Sequence, residues 1–329
     1  MKKVSVIIPT YRGEKYLYRS LKTVLSQNYK NIEIIVVDDN GINTISQKKT
    51  QEIVSGFHDD RIIYITHKKN SNGAASRNTG IRAAKGDFVC FHDDDDLMLP
   101  NRIVKCVKAL DNKKQYDGVF MDVAICNSKL TPNYIVKVRK AGNCWKDILL
   151  NAMFIGSGSN IFLTKKSVDE TGLFDEKFIR HQDLEYMIRF YEKFTTTYIG
   201  EIGIIKSEND ICNVPSYPKY KENEEYYITK FENEINALSK NERKIFYSKM
   251  QYFLLKTELL YYKLTFSNIK RALRLSPKDF LIVIMTKMRI ANTFIVKRAN
   301  EIIKSFRSLS VPLPVDAKLF IKEIKNDKD

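Results

Sequence analysis

The chain has 329 residues, and its 55 lysines and arginines against 39 aspartates and glutamates give a formal net charge of +16. An apolar fraction of 43% is too high for a disordered chain, and 13 glycines with 8 prolines exclude a collagen-like or low-complexity sequence. No apolar run approaches the roughly 20 residues of a membrane-spanning helix, and the short run before Pro9 falls below the about 7 residues of a signal-peptide core. We therefore expect a cytoplasmic protein with one large α/β domain and an appendage.

Two further features of the composition concern redox state and partners. The surplus of positive charge indicates an anionic partner, which could be nucleic acid, a membrane surface or a phosphorylated substrate. An odd number of cysteines without a C-x-x-C pair predicts reduced thiols and no zinc site. The five cysteines are Cys90, Cys106, Cys126, Cys144 and Cys212.

The first third of the chain alternates predicted strands with predicted helices. Hydrophobic periodicity predicts strands over 3–8, 33–37, 61–66 and 87–91, and helices over 16–27 and 74–84. This alternation predicts a mostly parallel, doubly wound (Rossmann-like) sheet, in which ligands bind beyond the carboxyl ends of the strands. Acidic groups follow two of these strands, at Asp38-Asp39 and at Asp93 to Asp96.

The rest of the chain changes character in two stages. The middle contains predicted strands over 119–125 and 160–163, a flexible turn over 156–159 and a helix over 183–190. The pattern becomes almost wholly helical from Glu222, and Pro215 and Pro218 mark the boundary. We therefore expect a catalytic domain over 1–213 and a basic helical C-terminal region over 214–329.

The run Asp93-Asp94-Asp95-Asp96 is the clearest chemical feature of the sequence. Four adjacent carboxylates repel one another unless a cation or solvent intervenes, and a solvated turn is the alternative. Because the run follows a buried-type strand at the ligand-binding edge, we favour a hard divalent cation held by carboxylates and substrate phosphates. Asp38 and Asp39 could accept hydrogen bonds from a nucleobase or ribose, or merely cap a turn.

The segment Asn70 to Gly80 leads through a glycine turn into a helix with Arg77 one turn in. A helix N-terminus and an arginine both suit phosphate, and ordinary capping by Ser71 or Asn72 is the alternative. No G-x-G-x-x-G follows Ile8 and no G-x-x-x-x-G-K-[ST] occurs, so neither a dinucleotide enzyme nor a P-loop NTPase is supported.

Taken together, these motifs resemble family 2 of the inverting glycosyltransferases, which have the GT-A fold. The ordered segments that carry the resemblance, over roughly residues 1–205, are Val4 to Tyr11, Ser26-Gln27, Ile35 to Asp39, Ala75 to Gly80, Gly86 to Phe88 and Asp93 to Asp96. The resemblance implies that Asp39 binds the base of a nucleotide sugar, usually UDP. It also implies that Asp95, the last member of the motif Asp93-x-Asp95, holds Mg²⁺ or Mn²⁺ against the diphosphate, and we expect Asp93 as the second metal ligand. We accordingly expect the donor site to comprise Pro9, Tyr11, Asp38, Asp39, Asn72, Arg77, Asp93, Asp94 and Asp95.

The same resemblance points to a catalytic base, which an inverting transfer needs to deprotonate the acceptor. Gln182-Asp183 matches the family's Glu-Asp motif with glutamine in the first position, which implies Asp183 as the base. A carboxylate that merely favours a helix N-terminus is the alternative for Asp183, and pairing with Arg189 is the alternative for Glu185. We expect the acceptor or the sugar to meet Gly156, Ser157, His181, Gln182 and Glu185.

The C-terminal region is strongly basic. Residues 263–307 contain eleven lysines and arginines against two acidic residues, a local charge of +9. A basic amphipathic helix here could lie on an anionic membrane, pack into a core or form a homo-oligomer interface. The resemblance favours the membrane, because many family members extend lipid-linked glycans at its cytoplasmic face.

Two other functions compete with this interpretation. A nucleic-acid-binding protein could use the basic tail, but the acidic groups would repel a phosphate backbone and no nucleic-acid-binding motif is evident. A sugar-nucleotide nucleotidyltransferase would carry a glycine-rich basic loop after the first strand, of which Pro9 to Gly13 is a thin version. We therefore predict a metal-dependent inverting glycosyltransferase. It would use a nucleotide sugar and a glycan or lipid-linked acceptor of bacterial surface polysaccharide (capsule or cell wall), and no nucleic acid.

Overall fold

The computed structural model describes residues 1–127, 129–153, 155–208, 215–261 and 315–326. The chain divides into two compact units. The first comprises Met1–Asp210 and Ser310–Asp329, and the second comprises Ile211–Leu309.

The first four strands form the parallel part of a single sheet. They are β1 (Val4–Thr10), β2 (Ile32–Asp38), β3 (Ile62–Thr66) and β4 (Phe88–Phe91), in the order β3-β2-β1-β4. Every neighbouring pair among them is parallel. β1, β2 and β4 are apolar and almost completely buried, as expected for strands covered on both faces. The predicted parallel sheet is confirmed for this part.

The remaining described strands make the sheet mixed rather than mostly parallel. They are β5 (Leu97–Met98), β6 (Gly118–Asn127), β7 (Pro132–Val136), β8 (Phe162–Thr164) and β9 (Thr196–Glu208). The order continues β4-β8-β6-β9-β5, with β7 on β6. β8 runs antiparallel to both β4 and β6, whereas β6 and β9 are parallel. Insertion of the short β8 therefore ends the parallel arrangement, which short-range periodicity could not reveal.

Helices cover the sheet of the first unit. Those before the second unit are α1 (Leu17–Leu25), α2 (Ile45–Ser55), α3 (Gly73–Ala83), α4 (Arg102–Asn112), α5 (Trp145–Leu149), α6 (Lys165–Thr171) and α7 (Gln182–Phe190). The small residues of α3 allow a close approach to β1, because a Cβ atom at Gly80 would lie 2.3 Å from a methyl carbon of Ile7. This contact holds the second half of α3 against the middle of β1.

The second unit is helical where it is described. It contains α8 (Tyr217–Lys230), α9 (Glu232–Asn236) and α10 (Lys240–Tyr261). The basic segment 263–307 and Cys212 lie outside the described residues. No helix within the described ranges is long and apolar enough to cross a bilayer.

One C-terminal helix belongs to the first unit. α11 (Val315–Asn326) places Phe320, Ile321 and Ile324 in a buried cluster with Leu97 and Ile205 of the sheet. The sequence pattern predicts this segment as part of the C-terminal helical region over 214–329, whereas the structure packs it on β5 and β9. The physical reason is burial, since this helix covers an apolar end of the sheet.

Candidate active site

The carboxyl ends of β1 and β2 place four of the expected donor-site residues. Pro9 is half-buried within β1, and Tyr11 follows the strand with 45% of its surface exposed. Asp38 is completely buried and accepts hydrogen bonds from the Tyr64 hydroxyl at 2.5 Å and the Asn40 backbone N–H at 2.8 Å. Burial raises the pKa of Asp38. Asp38 therefore holds the end of β2 and does not present its carboxylate to a ligand.

Asp39 organises the loop that leads into α3. Its carboxylate accepts hydrogen bonds from the backbone N–H groups of Ser71 and Asn72 at 2.8 and 2.9 Å and from the Asn70 side chain at 3.0 Å. The His67 Nδ1 atom lies 2.8 Å away. Asn72, at φ +82°, then caps α3 by accepting from two backbone N–H groups of its first turn. The contact of Asp39 with a nucleobase stays a prediction.

Arg77 joins the acidic run to the start of α7. One terminal nitrogen donates to Asp93 Oδ1 at 2.8 Å, and the other donates to Gln182 Oε1 at 3.0 Å. The guanidinium also lies 5.8 Å from the centre of the Phe174 ring. One arginine therefore brings α3, the end of β4 and the N-terminus of α7 together.

Asp93 and Asp94 point to different partners although they are adjacent. Asp93 Oδ2 accepts a hydrogen bond from the Ser157 hydroxyl at 3.2 Å. Asp94 Oδ2 accepts one from the Thr10 hydroxyl at 2.6 Å and lies against Gly13. A Cβ atom at Gly13 would lie only 1.8 Å from this oxygen, so glycine makes room for the carboxylate.

Asp96 is the most enclosed member of the acidic run. It is fully buried, and its Oδ2 atom accepts hydrogen bonds from the hydroxyls of Ser157 at 2.7 Å and Ser159 at 2.6 Å. Its Oδ1 atom makes no hydrogen bond within the described part of the chain. Gly156, at φ +87°, turns the backbone at the start of the loop 156–159, whose two serines contact Asp96. Gly156 and Ser157, expected to meet the sugar or acceptor, are buried and support the acidic run.

A lysine from β9 completes the site. Lys206 Nζ lies 3.7 Å from Asp96 Oδ1 and 4.0 Å from Asp93 Oδ2. The charge of Asp96, with that of Asp93, raises the pKa of Lys206 against the effect of burial. No motif singled out this residue. A lysine that follows the apolar residues Ile204 and Ile205 was the only sequence signal.

The four carboxylates differ in their affinity for protons. Burial raises the pKa of Asp95 to about 8, and neighbouring carboxylates add to the shift. Burial likewise raises the pKa of Asp94 to about 7. Burial also opposes ionisation of Asp93, but Arg77 and Lys206 outweigh it and lower its pKa. Asp94 and Asp95 therefore retain protons near neutral pH, and an added cation would favour full ionisation of the run.

His92 belongs to the core rather than to the site surface. Its ring is fully buried, and burial together with the charge of Arg102 lowers its pKa to about 3, so it is neutral at pH 7. Arg102 is also buried and donates to the backbone carbonyl of Ser159 at 2.5 Å. Arg102 thus holds the backbone of Ser159, whose hydroxyl donates to Asp96, and His92 packs in the core next to the run.

The start of α7 places the candidate base. His181 precedes the helix with a left-handed φ of +61°, and Gln182 donates to the Phe178 carbonyl at 2.7 Å. Asp183 is half-buried, and its carboxylate accepts the Leu184 backbone N–H at 3.0 Å. Asp183 also acts electrostatically on Lys206, after the larger effects of Asp96, Asp93 and Asp95.

Glu185 faces away from this site. It is fully buried, and its carboxylate accepts hydrogen bonds from Arg189 at 2.5 and 3.1 Å. The structure therefore realises the alternative in which Glu185 pairs with Arg189 one turn later. Glu185 is therefore a buried structural partner of Arg189 rather than a group exposed to an acceptor.

The carboxylates of the acidic run fit a divalent cation that binds together with the phosphates of a substrate. Within the described ranges, no group of three or more His, Cys, Asp or Glu side chains is arranged to hold a metal by itself. Mg²⁺ is typically bound by one or two carboxylates, with substrate phosphates and water as further ligands. The buried Asp96 Oδ1 makes no hydrogen bond within the described residues, and the raised pKa of Asp95 shows that its ionised form is not stabilised by the groups around it. This donor set suits such an ion.

The sequence also matches a known family. Residues 5–170, about half of the chain, match the family described as Glycosyl transferase family 2. The chain therefore belongs to glycosyltransferase family 2. This membership favours the glycosyltransferase over the nucleic-acid-binding and nucleotidyltransferase alternatives.

Several curated proteins are similar to the same part of the chain. An uncharacterized glycosyltransferase of Methanocaldococcus jannaschii is 31% identical over 192 residues, which cover 56% of this chain and 63% of that protein. The GalNAc(5)-diNAcBac-PP-undecaprenol beta-1,3-glucosyltransferase of Campylobacter jejuni is 32% identical over 200 residues, which cover 59% of this chain and 61% of that protein. The chain thus matches less than two thirds of the length of these relatives.

Solved structures confirm the fold. Residues 1–349 of S. aureus TarS, in complex with UDP-GlcNAc, superpose with a TM-score of 0.55 at 16% identity, covering 85% of this chain and 81% of that one. The mannosyltransferase PcManGT of Pyrobaculum calidifontis, in complex with GDP-Man and Mn²⁺, gives 0.52 at 15% identity, covering 100% and 88%. At these identities the likeness shows the fold alone, and it is the predicted GT-A fold.

Proposed function

We propose that this chain is an inverting glycosyltransferase that moves a sugar from a nucleotide sugar, UDP-linked in the simplest case, to a hydroxyl of a glycan or lipid-linked polysaccharide precursor. The observation that carries the proposal is the position of Arg77. Its guanidinium links Asp93, in the acidic run, to Gln182, the neighbour of Asp183. Candidate phosphate-binding and base residues therefore belong to one network.

The donor would bind at the ends of β1, β2 and β4. Pro9, Tyr11 and the loop ordered by Asp39 would surround the nucleoside, and Arg77 would bind the diphosphate, for which a guanidinium is well suited. Asp95, assisted by Asp93, would hold Mg²⁺ or Mn²⁺. When bound, such an ion neutralises charge on the departing nucleoside diphosphate.

The acceptor would react in a single displacement. Its hydroxyl oxygen forms a bond to the anomeric carbon while the bond from that carbon to the diphosphate oxygen breaks. The Asp183 carboxylate takes the hydroxyl proton, and the electron pair of the broken bond leaves with the nucleoside diphosphate. Attack opposite the leaving group inverts the anomeric configuration. His181 and Gln182, which flank Asp183, would contact the acceptor.

Two observations support a lipid-linked acceptor at a membrane. The Campylobacter jejuni relative carries PP-undecaprenol in its name. The segment 263–307 of this chain has a local charge of +9, from eleven basic and two acidic residues, which suits an anionic surface. We propose a peripheral location at the inner face of the membrane. Flotation of the full chain with phosphatidylglycerol vesicles, but not phosphatidylcholine vesicles, at low salt would support this, whereas a salt-independent oligomer without flotation would favour an oligomer interface.

The proposed reaction is tested by assay of transfer. The full chain is incubated with a panel of UDP- and GDP-sugars, undecaprenyl-diphosphate glycans and either Mn²⁺ or EDTA. We expect Mn²⁺-dependent release of a nucleoside diphosphate and a product whose anomeric configuration, read by NMR, is opposite to that of the donor. Retention of configuration would contradict the single displacement.

A further inference from the structure

Lys206 lies beside Asp96, the most enclosed carboxylate of the acidic run. Its ammonium is 3.7 Å from Asp96 Oδ1, the buried oxygen that makes no hydrogen bond within the described residues. It is also 4.0 Å from Asp93 Oδ2. The side chain remains 30% exposed, so it has room to move away from these carboxylates.

The acidic groups that face Lys206 come from two elements. Asp93, Asp95 and Asp96 follow β4, and Asp183 lies on α7, and all four act electrostatically on the lysine. Other cations lie nearby: Arg77 is already shared between Asp93 and Gln182. The buried Arg19 guanidinium donates to the Asp95 backbone carbonyl at 3.4 Å and also acts electrostatically on Asp95 and Asp96. Among the ion pairs of the described residues, Lys206 is the cation that pairs with the Asp96 carboxylate itself, at 3.7 Å. The separations of 3.7 and 4.0 Å are too long for hydrogen bonds, so Coulomb attraction holds the ammonium here.

We infer that Lys206 is an internal counter-ion of the acidic run, which a divalent cation must displace or repel in order to bind. This inference rests on the proposed function, because it concerns the ion that would accompany the donor. The ammonium and a divalent ion beside Asp95 and Asp96 would repel each other at short range. The protein without donor would then bind the ion weakly. A nucleoside diphosphate would restore binding, since its negative charge compensates both cations.

The inference predicts that removal of the lysine charge strengthens metal binding in the absence of nucleotide. The test measures Mn²⁺ affinity of the full chain by electron paramagnetic resonance of free Mn²⁺, with no nucleotide present. We expect Lys206→Met to bind Mn²⁺ at least about tenfold more tightly than the original protein, from the loss of one nearby unit charge. Lys206→Arg, which keeps the charge, should stay within about threefold, by the same reasoning.

Controls separate this effect from general changes in charge and folding. Lys105→Met removes a lysine that pairs with Glu201 on the surface, and it should leave Mn²⁺ affinity unchanged. Lys206→Gln provides a second neutral variant if Lys206→Met does not fold, as judged by circular dichroism.

Equal Mn²⁺ affinity in the neutral variants and the original protein would overturn the inference, as would weaker binding or no binding in both. The proposed function is judged separately, by titration of UDP with Mn²⁺ present. If UDP does not bind the original protein, the proposed donor site fails, while the comparison of Mn²⁺ affinities still decides the role of Lys206.

Discussion

The Arg77 guanidinium and the Asp93 carboxylate lie 2.8 Å apart, as an ion pair at the meeting point of α3 and the end of β4. The side chains of Arg77 and Asp93 are 14% and 24% exposed, so the pair reaches the surface, where an anionic ligand could contact it. Arg77 also donates to Gln182, so movement of the guanidinium toward a diphosphate would lengthen or break this hydrogen bond at the start of α7. This pair therefore connects the two halves of the proposed reaction.

Substitution of the candidate base tests the proposed chemistry. Asp183→Asn should lower transfer by about 10²–10⁴-fold, the usual contribution of a general base, while UDP affinity changes only a few-fold. Asp169→Asn is a matched control, because Asp169 is an exposed carboxylate paired with Lys165. Initial rates and calorimetric UDP affinities are measured for all three proteins. A fully active Asp183→Asn variant would exclude Asp183 as the base.

The metal ligands are tested by loss of a carboxylate from the run. Asp95→Ala should weaken Mn²⁺-dependent UDP binding by at least about tenfold, because it removes an oxygen ligand of the ion. Asp111→Ala, which alters an exposed carboxylate near Lys2, should have no effect. Calorimetry with Mn²⁺ measures both. Unchanged UDP binding by Asp95→Ala would place the metal elsewhere in the run.

Substitution of Gln182 tests whether UDP binding requires Arg77 to leave its present hydrogen bond with Gln182. Gln182→Glu places a carboxylate where an amide oxygen now accepts from Arg77 at 3.0 Å, and it adds negative charge beside the proposed diphosphate site. We expect UDP affinity to fall roughly three- to tenfold, because a charged partner holds Arg77 more strongly than a neutral one. Gln51→Glu on α2 makes the same change at an exposed position. Equal or higher UDP affinity in Gln182→Glu would show that residue 182 and the diphosphate do not compete for Arg77.

The packing of α11 on the sheet is tested by two neighbouring residues. Phe320 is 6% exposed within the buried cluster, whereas Leu319 is 55% exposed. Phe320→Ala should lower the free energy of unfolding by about 3 kcal/mol through lost burial and a new cavity. Leu319→Ala should change it by less than about 0.5 kcal/mol. Urea denaturation followed by circular dichroism measures both, and equal effects would contradict the packing of α11.

The sequence predicted the elements in which local pattern decides structure. β1, β2 and β4 are apolar strands, and acidic residues follow β2 and β4, so the edge of the candidate site could be located from the chain alone. The antiparallel β8 and the return of α11 were not predicted, because they depend on which distant segment covers an apolar face. Periodicity reports that a face is apolar but does not identify its partner.

Some of the candidate site residues could likewise be predicted from local sequence, and others depend on contacts between distant segments. Arg77 and Asp93 were identified from motif and position. Lys206 was missed, because its importance depends on β9 bringing it to Asp96, which follows β4. Asp38 and Glu185 were expected to meet ligands, but both are buried and bound by neighbouring side chains. Adjacent carboxylates in a sequence do not show which of them faces the ligand.

The central claim is that the acidic run and Arg77 form a metal-assisted site for a nucleoside diphosphate. Isothermal titration calorimetry of UDP and GDP against the full chain, with Mn²⁺ or with EDTA, tests it most directly. We expect UDP to bind with Mn²⁺ and to bind at least about tenfold more weakly with EDTA, since the ion neutralises the diphosphate. Failure of both nucleotides to bind under either condition would contradict the claim.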